Sequence, residues 1–314
     1  MNIKKILVTG GTGLVGKGIE SISKEYKEIE FIFLSSKDCN LLHKEETYQT
    51  FLKYQPDVII HLAANVGGLF KNMNYKVQMF EENIIMNLNL LRSAHRCNIQ
   101  RVISCLSTCI FPDKTTYPID EKMLHDGPPH SSNDAYAYAK RMLEIQSKAY
   151  QENYNRDYIC VIPTNIYGPY DNFHLEDGHV IPSLIHQCYL SKKEGIPFVI
   201  KGSGKPLRQF IYNEDLARLI LWVVLEYSER ESIILSVGEE DEVSIKDVGR
   251  CIAREFEYED HILFDTSYSD GQYKKTANNT KLLSYLPNPQ FTKISDGIKK
   301  TVEWFNNNYP NIRR

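Results

Sequence analysis

The chain predicts an α/β fold: a doubly wound parallel sheet with a smaller mixed α/β lobe. Three observations carry this. Short apolar, β-branched runs alternate with stretches of helical spacing through the first half, a pattern that buries parallel strands between layers of helix. A glycine-rich turn directly follows the first of those runs. After about residue 168 the alternation becomes irregular, which points to a separate lobe. At 314 residues the chain is long enough for one large α/β unit or two modest domains.

Composition narrows the class. A net charge of −3 with no basic block argues against a nucleic-acid partner. No apolar run is long enough to span a bilayer. MNIKKILVTGG leads straight into a strand, so no signal peptide is expected. The seven cysteines are irregularly spaced and form no Cys-x-x-Cys pair. Neither a disulfide framework nor a metal site is indicated, and the expected setting is the reducing cytoplasm.

The first strand is Lys5 to Thr9, and it enters GGTGLVGKGIE. Gly10, Gly13 and Gly16 recur at every third position. A strand, glycine turn and helix start let backbone N–H groups approach a pyrophosphate, giving a Rossmann-type dinucleotide site. The same glycines would also suit a plain β-turn before a helix. The second strand, Glu30 to Leu34, ends in Ser35, Ser36 and Lys37. Two hydroxyls and a cation suit a ribose 2′-phosphate better than the carboxylate of an NAD site, so NADP(H) is expected. Asp38 follows closely, and Lys37 could equally be a solvated loop lysine.

The third strand lies within Pro56 to Ala64, and the Val-Gly-Gly after it offers another close backbone approach to the cofactor. A helix is expected over Val77 to Cys97. Its Asn83 and Asn87, four apart, could tie the strand beneath or an active-site water, or simply line a polar face.

Next comes RVISCLSTCIFP. Read as one extended strand, it places Ser107 and Cys109 on the same face. A polar, proline-bearing loop from Asp113 to Asp134 separates it from a long helix, with Asn133 or Asp134 as its N-cap. On that helix Tyr136 and Lys140 are four apart, hence on one face. A lysine one turn away should lower the phenol pKa toward working pH. Taken alone, Tyr-x-x-x-Lys is a weak signal that a solvated helix face would also produce. Its position behind a nucleotide loop and a Ser-tipped strand makes proton transfer the better reading.

The strand Tyr158 to Pro163 enters TNIYGPYDNF, putting Asn165 where α/β sheets bind ligands. His179 follows in a loop before a helix. A lone loop histidine is more often a surface residue. Further strands are expected at Phe198 to Lys201 and Ile233 to Val237. Helices are expected over about Asn213 to Glu226, in EVSIKDVGRCIAREFEY, and over Thr292 to Tyr309. Thr266 to Thr280 reads as a polar loop. The implied division is a nucleotide domain of 1–168 plus about 213–238, and a substrate lobe of about 169–212 plus 239–314.

The combination of TGGTGLVG, HLAA, Ser107, YAYAK and RQFIYNEDLA resembles the extended short-chain dehydrogenase/reductase superfamily. SCLSTCIFPDKTTYPIDE, IPTNIYGPYDNF, EDGHVIPSLI, GSGKPLRQFIY and SVGEEDEVSIKD are similar, within it, to the GDP-L-fucose synthase family of the type found in animals. The likeness runs nearly end to end. It implies that GDP-4-keto-6-deoxy-D-mannose is epimerised at C3 and C5, then reduced at C4 with NADPH. It assigns Cys109 as base, with its thiol pKa lowered near the cofactor ring and Lys140, and His179 as opposing acid. Ser107 and Tyr136 would hold the C4 oxygen, and Lys140 the nicotinamide ribose.

The cofactor is expected along Gly10, Thr12, Gly13, Leu14, Val15, Gly16, Ser36, Lys37, Leu62, Ala63, Ala64, Tyr136, Lys140, Pro163 and Asn165. The GDP-sugar is expected against Ser107, Asn165, His179, Val180, Gln187, Lys201, Arg208 and Asp270. Gln187 and Lys201 stand where some bacterial members place Arg and Trp. A homodimer through the helices of Tyr136 and Val77–Cys97 is a further family expectation.

Two other readings fit part of the pattern. One is a different nucleotide-sugar enzyme of the same superfamily, such as a 4,6-dehydratase, which should carry an acidic pair where this chain has Ser107, Thr108 and Cys109. The other is a non-enzymatic NADP(H)-binding regulator, which typically lacks the Tyr or the Lys.

Overall fold

The structure is a computed structural model and describes residues 3–268, 270 and 273–314. Strands and helices alternate in its first half as β1 (Lys5–Thr9), α1 (Leu14–Ile22), β2 (Glu30–Leu34), α2 (Lys44–Tyr54), β3 (Val58–His61), α3 (Leu69–Asn74), α4 (Lys76–Arg96), β4 (Arg101–Cys105), α5 (Asp134–Tyr154) and β5 (Asp157–Pro163). The remainder adds β6 (Asn165–Tyr167), α6 (Val180–Glu194), β7 (Phe198–Lys201), β8 (Leu207–Arg208), β9 (Phe210–Tyr212), α7 (Asn213–Leu225) and β10 (Ile233–Leu235). It ends with β11 (Val243–Ser244), α8 (Ile245–Glu255), β12 (Ile262–Asp265), α9 (Thr280–Tyr285) and α10 (Ile294–Asn308).

Six strands form one parallel sheet in the order β10-β5-β4-β3-β1-β2. The order reverses between β1 and β3, and a doubly wound sheet opens a ligand crevice at the carboxyl ends there. Ile6, Leu7 and Val8 of β1 are fully buried because helices cover both faces. Alternate side chains enter different cores. Ile6, Val8, Ile60, Ile103 and Val161 pack with α1 and α7 on one side. Leu7, Ile59, Val102, Cys160 and Ile162 pack with α2, α4 and α5 on the other. Each fully buried branched side chain contributes about 1.5–3 kcal/mol, so this double burial dominates the stability of the sheet.

A third core gathers Phe173, Ile181, Ile185, Phe198, Ile252, Ile298 and Phe305 from α6, β7, α8, α10 and the loop before α6. Beside it lie small two-stranded sheets that pair β7 with β12, β8 with β11 and β6 with β9. The strand at β12 and the helix α9 have no counterpart in the sequence reading. Each is six residues or shorter, and β12 is completed by pairing with β7 across more than sixty residues of chain.

One local expectation fails. The run RVISCLSTC is not extended to its end: β4 stops at Cys105, and Thr108–Ile110 form a 3₁₀ turn. Ser107, itself extended, caps that turn by accepting the Cys109 N–H at 3.4 Å. The period-two argument for Ser107 and Cys109 therefore does not apply.

Candidate active site

The glycine turn is built for close approach. Gly10 has φ of +69°, and a Cβ there would lie 2.7 Å from the Ala63 nitrogen. Gly16 packs against Gly11, where a Cβ would meet the carbonyl oxygen at 2.5 Å. Gly11, absent from the expected set, donates to the Leu34 carbonyl at 2.8 Å and locks the turn onto β2. A Cβ on Gly13, by contrast, would meet only the Gly10 oxygen, at 3.3 Å. No side chain caps the first turn of α1, so its N–H groups remain available to a phosphate. The cradle fits a dinucleotide.

At the end of β2 the exposed Asp38 carboxylate folds back onto Ser35. It accepts the Ser35 N–H at 2.8 Å and the Ser35 hydroxyl at 2.6 Å. Ser35 is thus spent on the turn, while Ser36 and Lys37 stay exposed. Under the turn, His61 is fully buried between Thr9 Oγ1 at 2.9 Å and Asn87 Oδ1 at 3.0 Å. An amide oxygen can only accept, so Nε2 carries the proton and Nδ1 accepts from Thr9. Burial, with Lys140 nearby, pushes the His61 pKa down to about 3. Asn83 accepts the Asn65 N–H at 3.0 Å and donates to the Asn65 carbonyl at 2.9 Å. Of the open readings for Asn83 and Asn87, the tie to the strand and loop beneath is the one observed.

Ser107, Cys109, Tyr136 and Lys140 converge beyond β4. Tyr136 and Lys140 are buried on α5, while Cys109 in the 3₁₀ turn and Ser107 at its cap are partly exposed. Lys140 donates to the Cys105 carbonyl at 2.8 Å, and its Nζ stands 5.9 Å from the Tyr136 ring centre. The expected lowering of the Tyr136 pKa is not found. Burial raises the hydroxyl well above the ordinary phenol range, and the adjacent Cys109 and Cys105 thiols push the same way. Cys109 likewise moves opposite to expectation, because desolvation outweighs every cation near it. Both corrections have one cause: a low-dielectric enclosure penalises the anion before neighbours act. Asn133 holds the N-cap position of α5 but makes no cap hydrogen bond, and Asp134 pairs with Lys76 at 2.8 Å.

The remaining expected residues fall into two groups. Asn165, exposed at the start of β6, donates to the Gln209 carbonyl at 2.8 Å. Arg208, half-buried on β8, donates to the Leu207 carbonyl at 2.7 Å. Leu62, Ala63, Ala64 and Pro163 lie at the carboxyl ends of β3 and β5. Gln187 donates to the Val199 carbonyl at 2.7 Å on β7, where Lys201 is the last residue. Asp270 accepts from Ser203 N and Oγ at 2.8 and 2.6 Å beyond that strand. His179 is the exposed N-cap of α6, followed by the exposed Val180. Beside this loop, Gly68 of the Val-Gly-Gly turn donates to the Asp177 carbonyl at 2.9 Å.

The sequence model of the NAD dependent epimerase/dehydratase family matches residues 6–238. The chain belongs to that family. A GDP-L-fucose synthase of Dictyostelium discoideum is 54% identical over 313 residues, covering 99% of this chain and 98% of that one. A probable GDP-L-fucose synthase of Drosophila melanogaster is 47% identical, covering 99% of this chain and all of the other. A crystal structure of a GDP-L-fucose synthetase from Naegleria fowleri bound to NADP superposes with a TM-score of 0.95 at 50% identity, covering 99% of this chain and 95% of that one.

In this member of the family, two ionisable residues at the site escaped sequence reasoning. Asp171 is buried, its Oδ2 has no hydrogen-bond partner, and burial lifts its pKa to about 6 against the opposing pull of His179. Lys275, read as part of a polar loop, stands in the charge field of Cys109 and Arg208. Lys275 takes its charged neighbours from distant segments, while Asp171 meets both His179, eight residues on, and the distant Arg313.

Proposed function

We propose that the chain converts GDP-4-keto-6-deoxy-D-mannose to GDP-L-fucose, epimerising C3 and C5 and then reducing C4. The observation that carries this reading is a cysteine, Cys109, held beside Tyr136 and Lys140 in a chain 54% identical end to end to a GDP-L-fucose synthase. A reductase alone needs no thiol there.

Protons α to a ketone are acidic only if the enolate is stabilised. Ser107 and Tyr136 donate hydrogen bonds to the C4 oxygen, and a phenol kept neutral by burial is a dependable donor. Cys109 removes the C3 and C5 protons as thiolate, and His179 delivers protons to the opposite face. NADP(H), when bound, supplies the hydride for C4. Tyr136 protonates the C4 alkoxide, and Lys140 orients the cofactor ribose. Gly10 through Gly16 hold the pyrophosphate, Ser36 and Lys37 the 2′-phosphate, and Leu62 to Ala64, Pro163 and Asn165 the nicotinamide half. Arg208 clamps the GDP diphosphate, and Val180, Gln187, Lys201 and Asp270 line the rest of the sugar-nucleotide cleft.

The nucleotide domain comprises 1–168 plus about 213–238, and the substrate lobe about 169–212 plus 239–314. The protein acts in the cytoplasm as a homodimer. Val77, Phe80 and Ile85 on α4 and Tyr138, Met142 and Ile145 on α5 expose large apolar side chains, the surface from which a four-helix contact would form.

Cys109→Ser tests the central assignment. A serine hydroxyl barely ionises, so solvent deuterium entry at C3 and C5 should collapse. Slow reduction of the unepimerised ketone should continue, giving a GDP-6-deoxy-hexose other than GDP-L-fucose by NMR. Normal GDP-L-fucose output from this variant would remove Cys109 as the base.

A further inference from the structure

The turn that carries Cys109 is weakly closed by its own bonds. The Cys109 N–H donates to Ser107 Oγ at 3.4 Å, the Ile110 N–H to the Ser107 carbonyl at 3.2 Å, and the Phe111 N–H to the Thr108 carbonyl at 3.3 Å. All three are longer than the usual N–H···O distance of about 2.9–3.0 Å. A 3₁₀ turn closed so loosely does not fix the direction of a side chain by itself.

The frame comes from α5. Lys140 donates to the Cys105 carbonyl at 2.8 Å. The next residue, Arg141, donates from Nε to the Ile110 carbonyl at 2.6 Å. Neighbouring residues of one helix thus hold the two ends of the segment 105–110. The second arm of the guanidinium, Nη1, donates to the Gly127 carbonyl at 2.7 Å. Gly127 belongs to the long loop between the turn and α5. That loop closes beside it, where the Asp113 N–H donates to the Pro128 carbonyl at 2.9 Å. One planar group therefore ties turn, loop and helix together.

Arg141 is 4% exposed, and its Nη2 has no hydrogen-bond partner. Burying a guanidinium is unfavourable. An apolar side chain of similar length would fill the same space without that penalty. What the guanidinium adds is two charge-assisted bonds to main-chain carbonyls. Both are shorter than the three bonds that close the turn.

We infer that Arg141 is the positioning residue for Cys109: its guanidinium sets where the thiol stands relative to Tyr136 on the same helix. The near end of the segment is fixed separately, by Lys140 at Cys105 and by the Leu106 N–H on the Val161 carbonyl at 2.8 Å. Arg141 grips the far end, one residue beyond Cys109, so it governs the thiol more than Ser107. Ile110 and Phe111 are buried in the core beneath the turn. Loss of the guanidinium leaves the segment attached and alters its orientation.

The consequence for catalysis rests on the proposed role of Cys109, but the arrangement itself can be tested without substrate. Hydrogen–deuterium exchange of the whole protein, resolved by peptide mass mapping, compares Arg141→Met with the parent. The amides of 106–112 should exchange ~10-fold or more faster, since a hydrogen bond from a charged group no longer opposes local opening. Those of β4, β5 and α1 should keep their parent rates. Parent-like exchange at 106–112 would show a turn independent of Arg141, and faster exchange everywhere would show a merely structural arginine; either overturns the inference. If Arg141→Met does not fold, Arg141→Lys decides. It keeps the charge and loses the planar fork, so 106–112 alone should again exchange faster, and a parent-like pattern would refute the positioning.

The same variants carry the catalytic readout. A displacement of about 1 Å can slow a positioned reaction ~10²-fold, so deuterium entry at C3 and C5 should fall by that order. The product should shift from GDP-L-fucose toward the ketone reduced without epimerisation, and an unchanged product ratio would overturn the inference. Normal GDP-L-fucose synthesis by Cys109→Ser would refute the functional reading alone, because the exchange pattern around Arg141 would stand.

Discussion

Tyr136 shows how one side chain changes role when its surroundings are counted. Helical spacing makes it a phenol beside a cation. The folded chain makes it a buried neutral donor whose lysine is bonded to the Cys105 carbonyl. A proton donor need not be easily ionised; it must be less basic than the alkoxide it protonates. Tyr136→Phe should therefore reduce hydride transfer by about 10²–10⁴-fold. Deuterium entry at C3 or C5 should persist at a reduced rate, since on the proposed mechanism Ser107 would still hold the C4 oxygen. Parent-like NADPH turnover would show that Tyr136 is not the donor.

At the scale of elements, His61 pins three of them. It lies at the end of β3, takes the Thr9 hydroxyl from β1 and meets Asn87 from α4. It stays neutral in the fold down to about 3, whereas an unfolded chain protonates it near the ordinary value of about 6.5. Between those limits the unfolded state binds more protons, so stability falls as pH drops from about 6.5 toward 3. The slope from this one group reaches at most about 1.4 kcal/mol per pH unit. His61→Gln can retain polar contacts without titrating. Urea unfolding from pH 7 to 4 should lose stability less steeply in the variant than in the parent, and parallel slopes would contradict the assignment. The exposed face of α4 and α5 makes a second prediction. Ile145, 46% exposed, stands three and seven residues from the exposed Met142 and Tyr138 along α5, so Ile145→Glu places a charge in the proposed contact. Light scattering should then report a monomer, and a dimer of unchanged affinity would move the interface elsewhere.

Across the whole molecule, the sequence by itself determined what depends on near neighbours. β1 and β2 fall where their apolar runs lie. α4 begins and ends one residue before the expected Val77–Cys97. The glycine turn and the Tyr136–Lys140 spacing were legible because each is a local requirement of backbone or helix geometry. Only the tertiary structure decided the ends of those elements and the charge states they carry. It ended β4 at Cys105 and turned Cys109 back onto the Ser107 oxygen. It tied the Asp38 carboxylate to Ser35 in its own turn and completed β12 with β7. It also set Ala277 against Gln209, 68 residues earlier in the chain. Ionisation depends on burial and on every charge within a few ångströms. That sum is taken in space, and no window of sequence contains its terms.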